Sequence, residues 1–247
     1  MSLAVLLGGW VVLAQVHPQA GPPGACFPAS DRATSRLATA TTASTGPATS
    51  VSTQVQSEAR RILANVRDTR YQHRTLIDEK RGIYRLDCSG LACAILRKVA
   101  RRQLSEVAIE TGKSRQRAWE FYETFADATD QGTPGWRTVG KMLDAIPGDL
   151  LAKRRPEFKK GESTGHVMVI DEVPVLEKPG LVRVVVIDST SQPHSNDTRF
   201  SGTDGVGRGT IWIEIDPQGR PVVWRKSLDA KASTAHFAIG RVVDMPE

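Results

Sequence analysis

Three residues, far apart along the chain, carry side chains that together can perform nucleophilic chemistry. Cys88 precedes an apolar segment, His166 opens a second apolar run, and Asp188 closes a third. A thiol, an imidazole and a carboxylate in this chain order are the groups of a nucleophile, a general base and a residue that orients the base. The pattern therefore predicts thiol-dependent chemistry at Cys88.

The residues after Cys88 predict a helix. This helix begins at Cys88 or Ser89 and places Leu91, Ile95, Leu96 and Val99 on an apolar face. A helix N-terminus lowers the pKa of a thiol, so Cys88 is expected to react with iodoacetamide at mildly acidic pH. Its backbone N–H would also point toward a developing oxyanion. Cys93, surrounded by apolar residues, is predicted to be a core residue that forms no disulfide with Cys88.

His166 and Asp188 lie on two predicted strands that can form a hairpin. If the turn is centred on Glu177, antiparallel pairing places His166 directly opposite Asp188. The same register places Met168 opposite Val186. Both side chains would then lie on one face of the sheet, close enough for the carboxylate to hold the imidazole.

The remaining hydrophobic pattern predicts helices first and strands afterwards. One helix begins near residues 55–57, and another spans about residues 114–128. The buried face of the latter is expected to contain Trp119, Tyr122, Phe125 and Ala126. Strands are predicted at Leu150 to Lys153, His166 to Val173, Leu181 to Asp188, Thr210 to Asp216, Pro221 to Lys226 and His236 to Val243. This order predicts an α+β fold in which N-terminal helices pack on an antiparallel sheet.

Composition narrows the classes of function. The 247 residues are 40% hydrophobic, enough for one good core, and 33 basic against 27 acidic residues give a net charge of +6. The basic residues would accommodate an anionic polymer, but they lack the aromatic interleaving of a nucleic-acid groove, so no nucleic-acid partner is expected. With five histidines and neither Cys-x-x-Cys nor His-Glu-x-x-His, neither a metal nor another cofactor is predicted.

The N-terminal composition predicts export. Leu3 to Ala14 is too short to span a bilayer but suits the core of a signal peptide, which we assign to residues 1–20. Residues 21–55, rich in Ala, Thr, Ser, Pro and Gly, are predicted to be a disordered tether. Residues 56–247 are predicted to form the catalytic domain. The expected location is secreted, periplasmic or in the cell envelope.

Several motifs resemble the NlpC/P60 family of papain-like cysteine peptidases. They are Tyr71, Asp87-Cys88-Ser89-Gly90-Leu91, Pro147-Gly148-Asp149-Leu150, Gly165-His166-Val167-Met168-Val169 and Ile187-Asp188-Ser189. The resemblance implies a papain-like fold, with Cys88 as nucleophile, His166 as base, Asp188 orienting His166, and Tyr71 helping to build the site. It also implies cleavage of peptide bonds in cell-wall peptides. His73, Asp87 and Ser89 are expected to line the substrate and oxyanion site with Tyr71.

Two alternative functions remain. A papain-like acyltransferase or amidase acting on a substrate outside the cell wall would need the same triad, and product analysis would separate transfer from hydrolysis. A binding module without catalysis would keep the fold and recognise peptides or anionic polymers through its basic surface. Two glycine-rich or polar segments are interpreted as connections: residues 193–197 as a turn, and the run from Gly202 to Gly209 as a flexible connection near the site.

Overall fold

The computed structural model describes residues 50–128, 133–157, 163–200 and 202–245. The predicted signal peptide and residues 21–49 of the predicted tether lie outside these ranges. Among the described helices, none is both long and apolar enough to cross a membrane.

The four described α-helices precede most of the strands, as predicted, although three short strands lie between the first helix and the second. Their bounds are α1 Val51–Asn65, α2 Cys88–Val99, α3 Arg101–Ser105 and α4 Ala118–Asp127. The first begins earlier than its apolar spacing predicts, because the Ser50 side chain accepts a hydrogen bond from the Thr53 backbone N–H at 3.3 Å and caps the helix. The second begins at Cys88 and ends at Val99, which confirms the predicted helix.

Most of the strands lie in the C-terminal half. Three short strands precede α2: β1 Asp68–Arg70, β2 Leu76–Asp78 and β3 Ile83–Arg85. The others are β4 Trp136–Thr138, β5 Leu150–Arg154, β6 Gly165–Ile170, β7 Val175–Lys178, β8 Leu181–Thr190, β9 Gly205–Ile215, β10 Pro221–Arg225, β11 Ser233–Thr234 and β12 His236–Val242. All six predicted strands are present, and the shortest ones were not predicted.

Within the described residues these strands form two sheets. A small sheet has the order β1-β3-β2, and a large one has the order β11-β10-β9-β8-β6-β5-β12-β4, with β7 also paired to β8. Every neighbouring pair in the large sheet is antiparallel. Helices on an antiparallel sheet confirm the predicted α+β class.

The large sheet buries both of its faces. Val167, Val169 and Ile187 point to the side where α1, α2 and α4 pack. Met168, Ile170 and Val186 point to the other side, where residues from strands near both ends of the sheet, such as Trp224 and Ile239, join one cluster. The sheet therefore curls around this second cluster, and burial on both faces explains why β6 and β8 read as nearly continuous apolar runs.

The buried face of α4 includes Phe125, as predicted, but otherwise differs from the predicted one. Phe121 and Phe125 are fully buried and lie 5.9 Å apart between ring centroids. Trp119 and Tyr122 are only partly buried and Ala126 is exposed. Phe121 and Phe125, four residues apart, face the sheet. Their two rings fill the space above β12 and Trp136.

Candidate active site

Cys88 is the first residue of α2, and Asp87 caps this helix. The Asp87 carboxylate accepts a hydrogen bond from the Gly90 backbone N–H at 2.8 Å and another from the Ser89 hydroxyl at 3.1 Å. These bonds satisfy donors of the first turn that have no partner within the helix. The Asp-Cys-Ser-Gly motif thus fixes the helix start and places the thiol at its N-terminus.

The environment of the Cys88 thiol differs from the expected one. Burial, followed by the neighbouring Asp87 carboxylate, raises its pKa to about 12. The backbone N–H groups of Val167 and Ser89 favour the thiolate, but they do not compensate. The expectation that a helix N-terminus lowers this pKa is therefore wrong, because removal of the thiolate from water costs more than the helix dipole returns. The resting group is a neutral thiol.

Cys93 lies one and a half turns further along α2. It is fully buried, its Sγ lies 3.5 Å from Gln116 Oε1, and burial raises its pKa to about 11. Both cysteines are free thiols. Cys93 packs in the core between α2 and the sheet, which confirms the predicted core position.

His166 and Asp188 are in direct contact. The Nε2 atom of His166 lies 2.5 Å from Asp188 Oδ2, and both residues are buried. The predicted register is nevertheless wrong by two residues, since Val169 pairs with Ile187 and Ile170 with Val186. A shift of two keeps both side chains on the same face, so they meet diagonally rather than directly across the strands.

Two residues that the sequence analysis did not assign to the site also hold Asp188. His194 Nε2 lies 2.9 Å from Asp188 Oδ2, and the Arg199 guanidinium donates to Asp188 Oδ1 and, at 2.9 Å, to its backbone carbonyl. Asp197 shapes the loop that carries both residues, because its carboxylate accepts from the backbone N–H groups of His194 and Arg199, each at 2.7 Å. The interpretation of residues 193–197 as a turn misses this role.

The glycine run facing this loop is a strand and not the expected flexible connection. Gly205, Gly207 and Gly209 belong to β9, and their spacing of two places them on one face. A Cβ at Gly207 would lie 2.4 Å from Arg199 Nε, and one at Gly209 would lie 2.8 Å from His194 Cβ. The glycines therefore make room for the two side chains that reach Asp188. Their alternation was the signal that could have predicted both the strand and a close approach.

This packing gives a direct prediction. Gly207→Ala should lower the free energy of unfolding by roughly 1–3 kcal/mol, because Arg199 is buried and pinned by two carboxylates and cannot move aside cheaply. Chemical denaturation measures the change. Gly140→Ala is the matched control, since a Cβ there meets no atom within 4 Å. Equal stability of the two variants would show that the loop does not press on β9 at this point.

The two histidines beside Asp188 keep its carboxylate ionised. Burial alone would raise the pKa of Asp188, but His194 and His166 hold it well below its usual range. For His166, burial lowers the pKa and the hydrogen bond to Asp188 only partly offsets this. His166 is thus a neutral imidazole whose Nε2–H donates to Asp188, and its Nδ1 carries the lone pair of a base.

The same three groups have the composition of a metal site. His166, His194 and Asp188 offer ligand atoms within 4.8 Å of one another. However, both Nε2 atoms lie at hydrogen-bond distance from one carboxylate oxygen, and the Arg199 cation occupies the other. Protons on two imidazoles and a guanidinium thus already balance this carboxylate, and the arrangement is that of a hydrogen-bonded network.

The other predicted site residues lie around Cys88. Tyr71, His73, Asp87 and Ser89 line a cavity of about 250 Å³ together with Cys88. His166 lines an adjoining cavity of about 300 Å³, and the two share Tyr71, Ser163 and Gly165. Burial, with the nearby Cys88 and Asp87, raises the pKa of Tyr71, so its hydroxyl stays protonated.

Asp87 and Ser89 are committed to a network that the sequence did not reveal. Arg115 forms an ion pair with Asp87 at 2.6 Å and also donates to the Ser89 hydroxyl. His73 Nδ1 lies 3.1 Å from Asp87 Oδ2, although most of its side chain is exposed. Burial tends to raise the pKa of Asp87, but the Arg115 charge and the hydrogen bonds to the carboxylate outweigh burial. The pKa is therefore lowered, and this carboxylate remains charged. Its oxygens are engaged by Arg115, by His73 and by the start of the helix that bears Cys88.

Comparisons give no relative. No protein-family model matches the chain, and neither a curated protein nor a solved structure matches it.

The Cys88 sulfur contacts the strand that carries His166. The sulfur lies beside the backbone N–H of Val167, the residue that follows His166 in β6. In the described part of the chain no hydrogen bond joins Cys88 to His166, whereas His166 and Asp188 are joined directly. Gly165, which precedes His166, has φ +154, and a Cβ there would lie 1.9 Å from the Lys153 carbonyl oxygen. Only glycine allows β6 to begin this close to the backbone of β5.

Proposed function

We propose that this protein is a cysteine hydrolase that cleaves an amide bond, with Cys88 as nucleophile, His166 as general base and Asp188 as the residue that orients His166. The observation that carries the proposal is the 2.5 Å contact between His166 Nε2 and Asp188 Oδ2. This contact fixes the tautomer that leaves Nδ1 basic, and β6 places the imidazole next to the residue whose amide contacts the Cys88 sulfur. A papain-like arrangement of the NlpC/P60 type fits these elements.

The proposed reaction begins from neutral groups. As the Cys88 sulfur attacks the substrate carbonyl, His166 Nδ1 takes the thiol proton, and the buried Asp188 carboxylate stabilises the imidazolium that forms. His166 then gives this proton to the leaving amine, which leaves a thioester on Cys88. Water, deprotonated by His166, hydrolyses the thioester and releases a carboxylic acid. The backbone N–H of Cys88, the first residue of α2, has no acceptor within the helix and is suited to receive the oxyanion.

Concerted proton transfer follows from the raised thiol pKa. A thiol that ionises near pH 12 cannot supply a stable thiolate at neutral pH, so the base must act as the carbon–sulfur bond forms. Hydrogen bonds of this kind are often long before substrate binds and shorten in the Michaelis complex. The absence of a direct Cys88–His166 bond in the described residues is compatible with this step.

The thiol environment predicts how alkylation depends on pH. We expect iodoacetamide to modify Cys88 slowly below pH 7 and at a rate that keeps rising above pH 9, because only the small thiolate fraction reacts. Mass spectrometry of peptides after timed labelling measures the rate at each cysteine. Cys93 is the internal control, since it is buried in the core and should be labelled more slowly than Cys88 throughout. A rate plateau for Cys88 near pH 5 would instead show a preformed thiolate–imidazolium pair.

The substrate we propose is a peptide of the cell wall, which follows from the resemblance described above and agrees with the expected export of the chain. Purified peptidoglycan incubated with the protein and analysed by mass spectrometry tests this directly. Hydrolysis would yield fragments with new amine and carboxyl ends. New amide or ester products would identify an acyltransferase instead, and unchanged material with either cell-wall or unrelated amides would favour a binding module.

A further inference from the structure

The cavity that adjoins His166 has a strongly positive lining. We call it the cationic cavity; its volume is about 300 Å³. Lys153, Arg155 and Lys226 contribute three positive side chains, and no Asp or Glu lies among its described lining residues. Thr190, Ser191 and Gln192 add polar groups, and Lys226 Nζ donates to Gln192 Oε1 at 2.8 Å. A concave surface with several cations and hydroxyls is suited to an anion.

Lys153 is the most constrained of these cations. It lies on β5 directly opposite His166, and its Nζ lies 3.4 Å from the centroid of the Trp224 ring. Burial, followed by repulsion from Arg155, lowers its pKa to about 7. Among the described residues no carboxylate forms an ion pair with it. The Trp224 face attracts the ammonium group, but this attraction does not replace a counter-ion.

His194 presents a second unsatisfied group to the same cavity. Its side chain is only 2% exposed, and its Nε2 is engaged by Asp188. Its Nδ1 is buried and has no hydrogen-bond partner in the described residues. A buried polar atom of this kind costs free energy unless a ligand or water satisfies it. Because Nε2 is held by Asp188, an N–H at Nδ1 would be a donor for an anionic oxygen.

We infer that the cationic cavity binds an anionic oxygen group of the substrate, a carboxylate or a phosphate, through the Lys153 ammonium and His194 Nδ1. The inference rests on the proposed function insofar as the anion belongs to the substrate that Cys88 attacks. His166 lines this cavity and Cys88 the adjoining one, so a ligand held here has its charged group on the His166 side of the reacting bond. The site would thereby select substrates that carry a negative charge near that bond.

Binding of an anion must change the ionisation of Lys153. The titratable groups around it are Arg155, Lys226, His166, His194, the Asp188 carboxylate that contacts both histidines, and the Cys88 thiol. Arg155 disfavours a charged Lys153, so an anion placed beside the two favours it. Linkage requires that a ligand which prefers the ammonium form raises its pKa and binds more weakly once the pH exceeds the free value.

The test uses the full chain carrying Cys88→Ala, which cannot turn over substrate. Three probes are titrated by nuclear magnetic resonance: N-acetylglycine, its uncharged amide N-acetylglycinamide, and glycerol phosphate. We expect N-acetylglycine or glycerol phosphate to bind at least about tenfold more tightly than the amide, and the better of the two identifies the anion. Reductive methylation of Lys153 across a range of pH, followed by mass spectrometry, should show its pKa rising when that probe is present.

Two substitutions test whether the anion binds at Lys153. Adding Lys153→Met should weaken anion binding about tenfold or more, whereas Lys178→Met, which removes an exposed lysine of β7, should not. Equal affinity for the charged and uncharged probes, or unchanged binding with Lys153→Met, would overturn the inference. Since no step of this test needs catalysis, a failure to cleave peptidoglycan would count against the proposed function alone.

Discussion

Cys88→Ala is expected to reduce turnover by about 10⁴-fold or more, because no other thiol lines the two cavities among their described residues. The fold should survive. Cys88 contributes a small side chain to the core between α2 and the sheet, and its replacement by alanine should cost about 1 kcal/mol. Steady-state kinetics on one cleavable peptide, together with thermal denaturation, separates these two effects. His166→Ala should be nearly as severe, since the thiol loses its base and the leaving amine loses its proton donor.

Cys93→Ala is the matched control for this prediction. It removes the same thiol from the same helix, at a position that is fully buried and lines neither of the two cavities at the site. We expect full turnover and a comparable small loss of stability. If Cys88→Ala keeps more than a small fraction of the wild-type rate, Cys88 is not the nucleophile. Loss of turnover in both variants would instead indicate a structural effect of α2.

The residues that determine local structure were readable from the sequence. The α2 helix begins at Cys88 because Asp87 is a good N-cap and an apolar stripe follows, and both features are local. The strands β5, β6 and β8 were recognised for the same reason. Their side chains alternate or form apolar runs between strong turn residues, so the contact between His166 and Asp188 could be anticipated as a shared face.

The pairing register of β6 and β8 could not be predicted from local sequence. The prediction assumed that a single loop centred on Glu177 joins β6 to β8, but residues 175–178 form β7, which pairs with the start of β8. The tight turn at Pro179 and Gly180 therefore belongs to the β7–β8 hairpin, and β6 pairs with β8 two residues further along. The contact survived only because an even shift does not change the face of a strand.

Contacts between distant segments were beyond the sequence pattern. Arg199 and His194 reach Asp188 because Gly207 and Gly209 of β9 leave space beneath a loop held by Asp197. Nothing local to Asp188 predicts this. The pKa of Cys88 is a similar case, since the helix start is local but the burial that outweighs it depends on how β6 packs over the sulfur.

Asp188 substitutions should produce the largest combined effects on stability and turnover. Asp188→Ala leaves the Arg199 guanidinium, 2% exposed, without its buried partner at Asp188, and it removes the acceptor for both histidines. Loss of one member of a buried ion pair costs about 3–5 kcal/mol, so this variant should unfold at much lower denaturant concentration. Asp188→Asn keeps the shape and one acceptor oxygen, so it should be milder in both respects.

The Asp188→Asn variant places hydrogen-bond donors against each other. Relieving this repulsion allows the effects on turnover and on stability to be measured separately. If its oxygen accepts from His166 and His194, its amide donors face Arg199, which also only donates. Asp188→Asn combined with Arg199→Met removes the opposing donor, so the double variant should recover stability relative to Asp188→Asn alone. Turnover should not recover with it, because the imidazolium still lacks the carboxylate charge.

Denaturation and kinetics on these variants decide the role of Asp188. If the double variant regains wild-type turnover, the carboxylate serves only to neutralise Arg199, and the orientation of His166 does not need its charge. If Asp188→Ala folds and keeps full activity, Asp188 is not the third member of the triad. Ser189 would then be a poor replacement, because its hydroxyl donates to the Leu86 carbonyl at 2.7 Å. Thr190, which lines the cationic cavity with His166, would be the residue to substitute next.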